Sequence, residues 1–76
     1  MRKNNDLAAW RLFFRVVDLG SISKAANEAG VEPSSVSRRI TQLEAQVGVQ
    51  LLVRSSRALY LTHAGQQAYE RIESLI

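Results

Sequence analysis

Ser23-Lys24-Ala25-Ala26-Asn27-Glu28-Ala29-Gly30, followed by Val31-Glu32-Pro33-Ser34-Ser35-Val36-Ser37-Arg38-Arg39-Ile40-Thr41-Gln42-Leu43-Glu44-Ala45-Gln46-Val47, is the stretch on which the fold of this chain turns. The first half reads as a short helix. Ala25, Ala26 and Ala29 are small enough for it to sit close to its neighbours, and Gly30 ends it. The second half opens on a proline, which suits the first helical position because no N–H is needed there. Pro33 also holds Glu32 extended, as a residue capping a helix start must be. Val36, Ile40, Leu43 and Val47 then recur at i, i+4, i+7 and i+11, the inward stripe of a helix. The opposite face carries Ser34, Ser35, Ser37, Arg38, Arg39 and Gln42. Two helices joined by a tight glycine turn are the outline of a helix-turn-helix, whose second helix lies in the DNA major groove. Short hydroxyl side chains let such a helix approach closely, and the arginines one turn later reach guanine edges or phosphates. A merely solvated helix more often shows acids and bases paired at i, i+4. Here the first two turns have no acid after Glu32.

Working back toward the start, Asp6 is placed to cap a first helix through its carboxylate. Leu7, Trp10, Phe13, Phe14 and Val17 recur at three- and four-residue steps, and the aromatic stripe reads as core packing. Arg11, Arg15 and Asp18 fall on the other side. Gly20 stops this helix in a left-handed cap. Ser23 is read as the N-cap of the second helix, with Ile22 dropping into the core. Lys24 then lies in the first turn, where a cation opposes the helix dipole. It either meets a phosphate or is simply solvated.

Beyond the stretch, Gly48 closes the third helix and the pattern changes period. Leu51-Leu52-Val53-Arg54 and Ala58-Leu59-Tyr60-Leu61, with Ser55-Ser56-Arg57 between them, predict a short two-stranded hairpin. Leu59 and Leu61 point inward in this reading, and Tyr60 outward. Arg54 near a strand end and Arg57 at the tip suit a phosphate clamp and a minor-groove probe. Charge that protects an exposed strand edge is the competing explanation. Thr62 caps a last helix, whose early Gly65 permits close packing. Ala68, Ile72 and Ile76 share one face of it, with Tyr69 and Leu75 at the flanks. This helix is expected to run on past Ile76.

The 76 residues suffice for one small domain, which buries roughly 60–65% of its unfolded surface. A hydrophobic content of 46% argues for a globular chain over a disordered one. No cysteine is present, so disulfides and zinc–thiolate sites are excluded. No apolar run approaches the ~18 residues of a membrane span. The formal charge of +3 is unevenly spread, since residues 49–61 hold Arg54 and Arg57 and no acid. That excess fits a polyanionic partner without requiring one. His63 stands alone, and neither a carboxylate cluster nor a glycine-rich phosphate loop occurs. An enzyme, a metal site or a bound cofactor is therefore not expected.

The ordered set of landmarks resembles the N-terminal DNA-binding domain of LysR-type transcriptional regulators over residues 6–76. It comprises Phe14 with Val17, Gly20-Ser21-Ile22-Ser23-Lys24-Ala25-Ala26, Val36-Ser37-Arg38 with Ile40, and Leu43-Glu44 with Gly48-Val49. Leu51-Leu52-Val53-Arg54 with Arg57, and Leu61-Thr62 with Ala64-Gly65, complete it. The resemblance implies a mainly α fold, a winged helix-turn-helix of three-helix core, two-stranded β wing and C-terminal linker helix. Residues 6–61 would form the DNA-binding unit and residues 62–76 the start of the linker and dimerisation helix. It further implies a bacterial cytoplasmic protein, a homodimer through helix 62–76, and a tetramer when full length. A small-molecule effector would bind only in a C-terminal domain beyond this chain. By position, Ser34, Ser35, Ser37 and Arg38 would meet DNA from the recognition helix 33–47. Arg54 and Arg57 of the wing 51–61 would lie near phosphate and minor groove, and Thr62 would meet a phosphate at its helix start. Glu32 and Pro33 depart from the family pattern, in which a serine or threonine cap is followed by a glutamine. Arg39 also stands where glutamine is frequent. The operator therefore does not carry over from relatives. The alternative reading is a winged helix used as a protein-interaction module without DNA binding, since fold does not fix function.

Overall fold

The structure is a computed structural model that describes residues 7–54 and 59–75, with side chains as far as Arg71. The order is α1 (Leu7–Leu19), α2 (Ile22–Ala29), α3 (Pro33–Val47), β1 (Leu52–Arg54), β2 (Leu59–Leu61) and α4 (His63–Leu75). The predicted cap at Asp6, the hairpin tip with Arg57, and Ile76 lie outside the described residues, as do the side chains of Ile72 and Leu75.

The core is built where α1, α2 and α3 meet. Phe13, Val16, Val36, Ile40 and Leu43 are fully buried there, together with the small side chains of Ala9, Ala25 and Ala26. The α1 face differs from the predicted one. Its innermost line is Ala9, Phe13 and Val16, while Leu7 is 59% exposed. Trp10 and Val17 pack partly against that line. The reason is that α1 has neighbours on two sides. One flank meets α2 and α3, and the other turns Phe14 toward α4, where its ring stacks on Tyr69 with centroids 4.9 Å apart. A stripe of large residues averages these two contacts, and small Ala9 is fully buried between them.

Two further expectations shift. The N-cap of α2 is Ser21, not Ser23: Ser21 is extended, and its Oγ accepts from the Lys24 backbone N–H at 3.1 Å. Ser23 is already inside the helix. Val47, expected in the core, is 42% exposed. It sits at the last position of α3, and the chain reverses at Gly48 to bring Leu51 and Leu52 into the space beneath. Ala29 is exposed as well.

Gly30 ends α2 at φ 74°, a left-handed conformation that glycine adopts without steric cost. The following Val31 N–H donates back to Ala26 O at 3.0 Å, the closing bond of a Schellman turn. Pro33 takes the first turn of α3 as expected. Glu32 is extended and makes no side-chain cap bond.

The strands pair antiparallel with Leu52 opposite Leu61, Val53 opposite Tyr60 and Arg54 opposite Leu59. Leu59 and Leu61 pack against the core, and Tyr60 is 58% exposed. Thr62 then caps α4: its Oγ1 accepts from the Gly65 N–H at 2.9 Å and donates to Gln50 O at 2.6 Å. The Thr62 N–H donates to Leu51 O at 3.0 Å. Gly65 must be glycine for this to close, because a β-carbon there would lie 2.1 Å from Leu51 O. A helical core with a two-stranded sheet placed beside the second helix of a helix-turn-helix is a winged helix-turn-helix.

Candidate nucleic-acid interface

The buried line Val36, Ile40 and Leu43 sets which side of α3 faces out. With three and a half or so residues per turn, the ridge opposite it runs Ser34, Arg38 and Thr41. All three are exposed. On one flank of the ridge, Ser35, Arg38, Arg39 and Gln42 border an open groove of about 830 Å³, closed on its far side by Arg11, Leu12 and Val31 among others. On the other flank, Ser37 and Glu44 turn toward the wing.

The cations divide into two kinds. Lys24, Arg38 and Arg39 are exposed and have no carboxylate partner among the described residues. Arg15 and Arg54 are spoken for. Arg15 grips Glu28 through Nε and Nη2 at 2.8 and 2.9 Å, and reaches Asp18 through Nη1 at 2.9 Å. The bond to Arg15 holds the Glu28 carboxyl below the usual carboxylate range, and the same bond raises Arg15. This fork ties α1 to α2 and removes Arg15 from any basic surface.

Arg54 has partners that the sequence did not show. By sequence it suits a phosphate clamp on the wing, or a charge that protects a strand edge. In the fold its guanidinium turns back over α3, where it donates to Ser37 Oγ, to Thr41 Oγ1 at 3.2 Å and to Glu44 Oε1 at 3.3 Å. Its side chain is 27% exposed and that of Glu44 is 13% exposed. The second carboxylate oxygen of Glu44 accepts from the backbone N–H groups of Leu51 and Leu52 at 2.7 and 3.0 Å. Glu44 therefore spends its charge on the wing and leaves none for the outer face of α3. Neither Thr41 nor Glu44 was among the site residues expected from the sequence, although Glu44 is one of the family landmarks. Thr41 was legible in principle, since it follows Ser34 and Arg38 at i+7 and i+3 on one ridge. Glu44 was not, because its partners lie across the turn at Gly48.

The other expected residues fall as follows. Ser23 and Lys24 are exposed in the first turn of α2, Ser34 is exposed, and Ser35 and Ser37 are half-buried. Thr62 is half-buried, with its hydroxyl committed to the helix cap. Arg57 is outside the described residues. No group of three or more His, Cys, Asp or Glu that could hold a metal occurs among the described residues, and no helix is long and apolar enough to cross a membrane.

Residues 7–66 match the family described as bacterial regulatory helix-turn-helix protein, lysR family. The chain is 41% identical over 70 residues to an HTH-type transcriptional repressor of Pseudomonas aeruginosa, covering 92% of this chain and 22% of that protein. Other curated relatives are likewise several times longer, and the chain spans about a fifth of their length. Among solved structures, the full-length Vibrio cholerae virulence activator AphB superposes with a TM-score of 0.89 at 32% identity, over 93% of this chain and 24% of that one. The BenM DNA-binding domain in complex with catB site 1 DNA superposes with a TM-score of 0.87 at 35% identity, over 93% of this chain and 79% of that one. A family match across most of the chain, on a winged helix-turn-helix whose outward helix is hydroxylated and cationic, leads to one conclusion: the chain belongs to the LysR family of bacterial helix-turn-helix regulators.

Proposed function

We propose that this chain is the DNA-reading module of a bacterial transcription regulator, binding double-stranded DNA with sequence preference. The observation that carries the reading is the outer face of α3. From Pro33 to Gln46 its only acid is Glu44, and that carboxylate is turned to the wing. What remains outward is hydroxyls, the amides of Gln42 and Gln46, and Arg38 and Arg39, which have no carboxylate partner among the described residues. The likeness to a domain crystallised on its DNA supports it. In this reading the recognition helix 33–47 enters the major groove, with Ser34, Ser35, Ser37, Arg38, Arg39 and Gln42 toward base edges and phosphates. The wing 51–61 approaches the minor groove, bringing Arg57 to it, and Ser23, Lys24 and the start of α4 at Thr62 meet the backbone.

Residues 6–61 are the reading unit, and the helix from Thr62 begins the link to the rest of a longer cytoplasmic protein. That helix pairs two copies as a homodimer, which presents two heads to half-sites about 34 Å apart or a multiple of it. Tetramers form when the protein is whole, and any small-molecule effector binds in its C-terminal part. Regulation, with no enzymatic step, is the activity.

Fluorescence anisotropy with duplexes selected from a random pool tests the reading. Binding should weaken steeply with salt as counterions are displaced, and the selected duplexes should share an inverted repeat. Absence of any salt-sensitive binding to duplex DNA would overturn it in favour of a protein-interaction module.

A further inference from the structure

Three polar side chains meet at the wing-facing flank of α3, and of the two hydroxyls among them only that of Ser37 keeps a proton with no acceptor among the described residues. Arg54 Nη1 donates to Ser37 Oγ and sits 3.4 Å from the Ser37 carbonyl oxygen. Arg54 Nη2 donates to Thr41 Oγ1 at 3.2 Å. Thr41 has sent its own hydroxyl proton to the Ser37 carbonyl at 3.0 Å, so it has no donor to offer outward. Ser37 differs. A serine hydroxyl has one proton and two lone pairs. Arg54 occupies a lone pair, and no acceptor among the described residues takes the proton. A cationic N–H on that oxygen polarises the hydroxyl and turns its free proton away from the guanidinium. The same positive field disfavours any incoming donor and favours an acceptor.

We infer that Arg54 is a positioning residue that fixes Ser37 as a hydrogen-bond donor, so that α3 reads an acceptor on the major-groove edge of the base Ser37 faces. The acceptors there are N7 or O6 of guanine, N7 of adenine and O4 of thymine, and the amino group of cytosine is rejected. Glu44 keeps the device in register. One carboxylate oxygen holds Arg54 at 3.3 Å, and the other holds the Leu51 and Leu52 N–H groups at the entry to the strand that carries Arg54. Wing and recognition helix thus share one ionic clasp, and the wing acts on sequence preference without touching the base. The inference rests on the DNA-reading function proposed above.

The test uses one duplex selected from a random pool with the parent chain, and every single base-pair variant of it. Parent, Ser37→Ala, Arg54→Met, Arg54→Lys and the double variant Ser37→Ala/Arg54→Met are titrated against that set at several salt concentrations. Circular dichroism checks that each variant is folded. Ser37→Ala and Arg54→Met are expected to flatten preference at the same base pair, by about threefold to tenfold, the worth of one net hydrogen bond. The double variant should be no flatter there than Ser37→Ala, and the salt slope should stay at the parental value. Arg54→Lys keeps the charge without the planar fork and should restore the preference only in part. If Arg54→Met does not fold, Arg54→Lys carries the same comparison. Two results would overturn the inference. One is an even loss across all duplexes with the salt slope reduced by about one, the mark of a direct phosphate contact. The other is flattening at a base pair that Ser37→Ala leaves alone. A parent that selects no sequence defeats the DNA-reading function itself, an outcome separable from both.

Discussion

Gly65 and Leu51 touch backbone to backbone: a β-carbon on Gly65 would stand 2.1 Å from the Leu51 carbonyl oxygen. That oxygen also accepts the Thr62 N–H, so it has little freedom to retreat. Alpha helix 4 therefore docks on the connection that leads from α3 into the wing. Gly65→Ala should destabilise the chain by about 1–3 kcal/mol, the usual cost of forcing extra volume into a packed site. The helix propensity of alanine works in the opposite direction by up to about 1 kcal/mol, so a stabilised Gly65→Ala in urea titration would show that this contact yields easily.

The start of α2 offers a clean comparison between two neighbouring serines. Ser21 caps the helix through its Oγ, and Ser23 does not. Ser21→Ala should cost about 0.5–2 kcal/mol, the range for loss of an N-cap. Ser23→Ala, at an exposed position within the first turn, should stay within about 0.5 kcal/mol of the parent. Thermal unfolding of both variants side by side checks the assignment, and equal losses would return the cap to question.

Acid should loosen the tie between α1 and α2. The hydrogen bond from Arg15 depresses the Glu28 carboxyl below its ordinary value. A group with a depressed folded value contributes stability that is full above the unfolded value, about pH 4.3, and is lost as pH falls through the folded one. Both side chains are substantially exposed, at 38% and 48%, so the contribution is small and muted by salt. Stability followed from neutral pH downward should fall less steeply in Glu28→Gln than in the parent, and the two curves should converge in strong salt. Parallel curves at low salt would mean that the fork contributes nothing.

At the proposed interface, Arg38 and Arg57 should behave differently. Arg38 stands on the outward ridge with no partner among the described residues. Arg38→Ala should weaken binding to a selected duplex by about 1–3 kcal/mol and relax preference at one position. Arg57→Ala should weaken binding to selected and scrambled duplexes alike and reduce the salt slope by about one. Equal loss on both kinds of duplex for Arg38→Ala would remove it from the discriminating set.

Local chemistry in the sequence was enough to place the elements. Glycine at 20, 30 and 48 ends three helices at positive φ, and Pro33 opens the third, because each of those choices is made by one residue's own backbone. The stripe Val36, Ile40 and Leu43 settled which face of α3 looks outward, and with it the hydroxyls and arginines on the far side. Packing between elements decided the rest. Leu7 and Val47 fit the helical period yet remain exposed, Leu7 at the first position of α1 and Val47 at the last of α3. Arg54 and Glu44, ten residues apart, look like two surface charges until the turn at Gly48 brings the wing back over α3. A side chain's partner across such a turn depends on the path of the backbone, and a linear pattern does not encode that path. So the sequence alone determined that this chain presents a cationic, hydroxylated helix on a winged scaffold, while only the tertiary structure decided that Arg15 and Arg54 are tied to carboxylates across the fold.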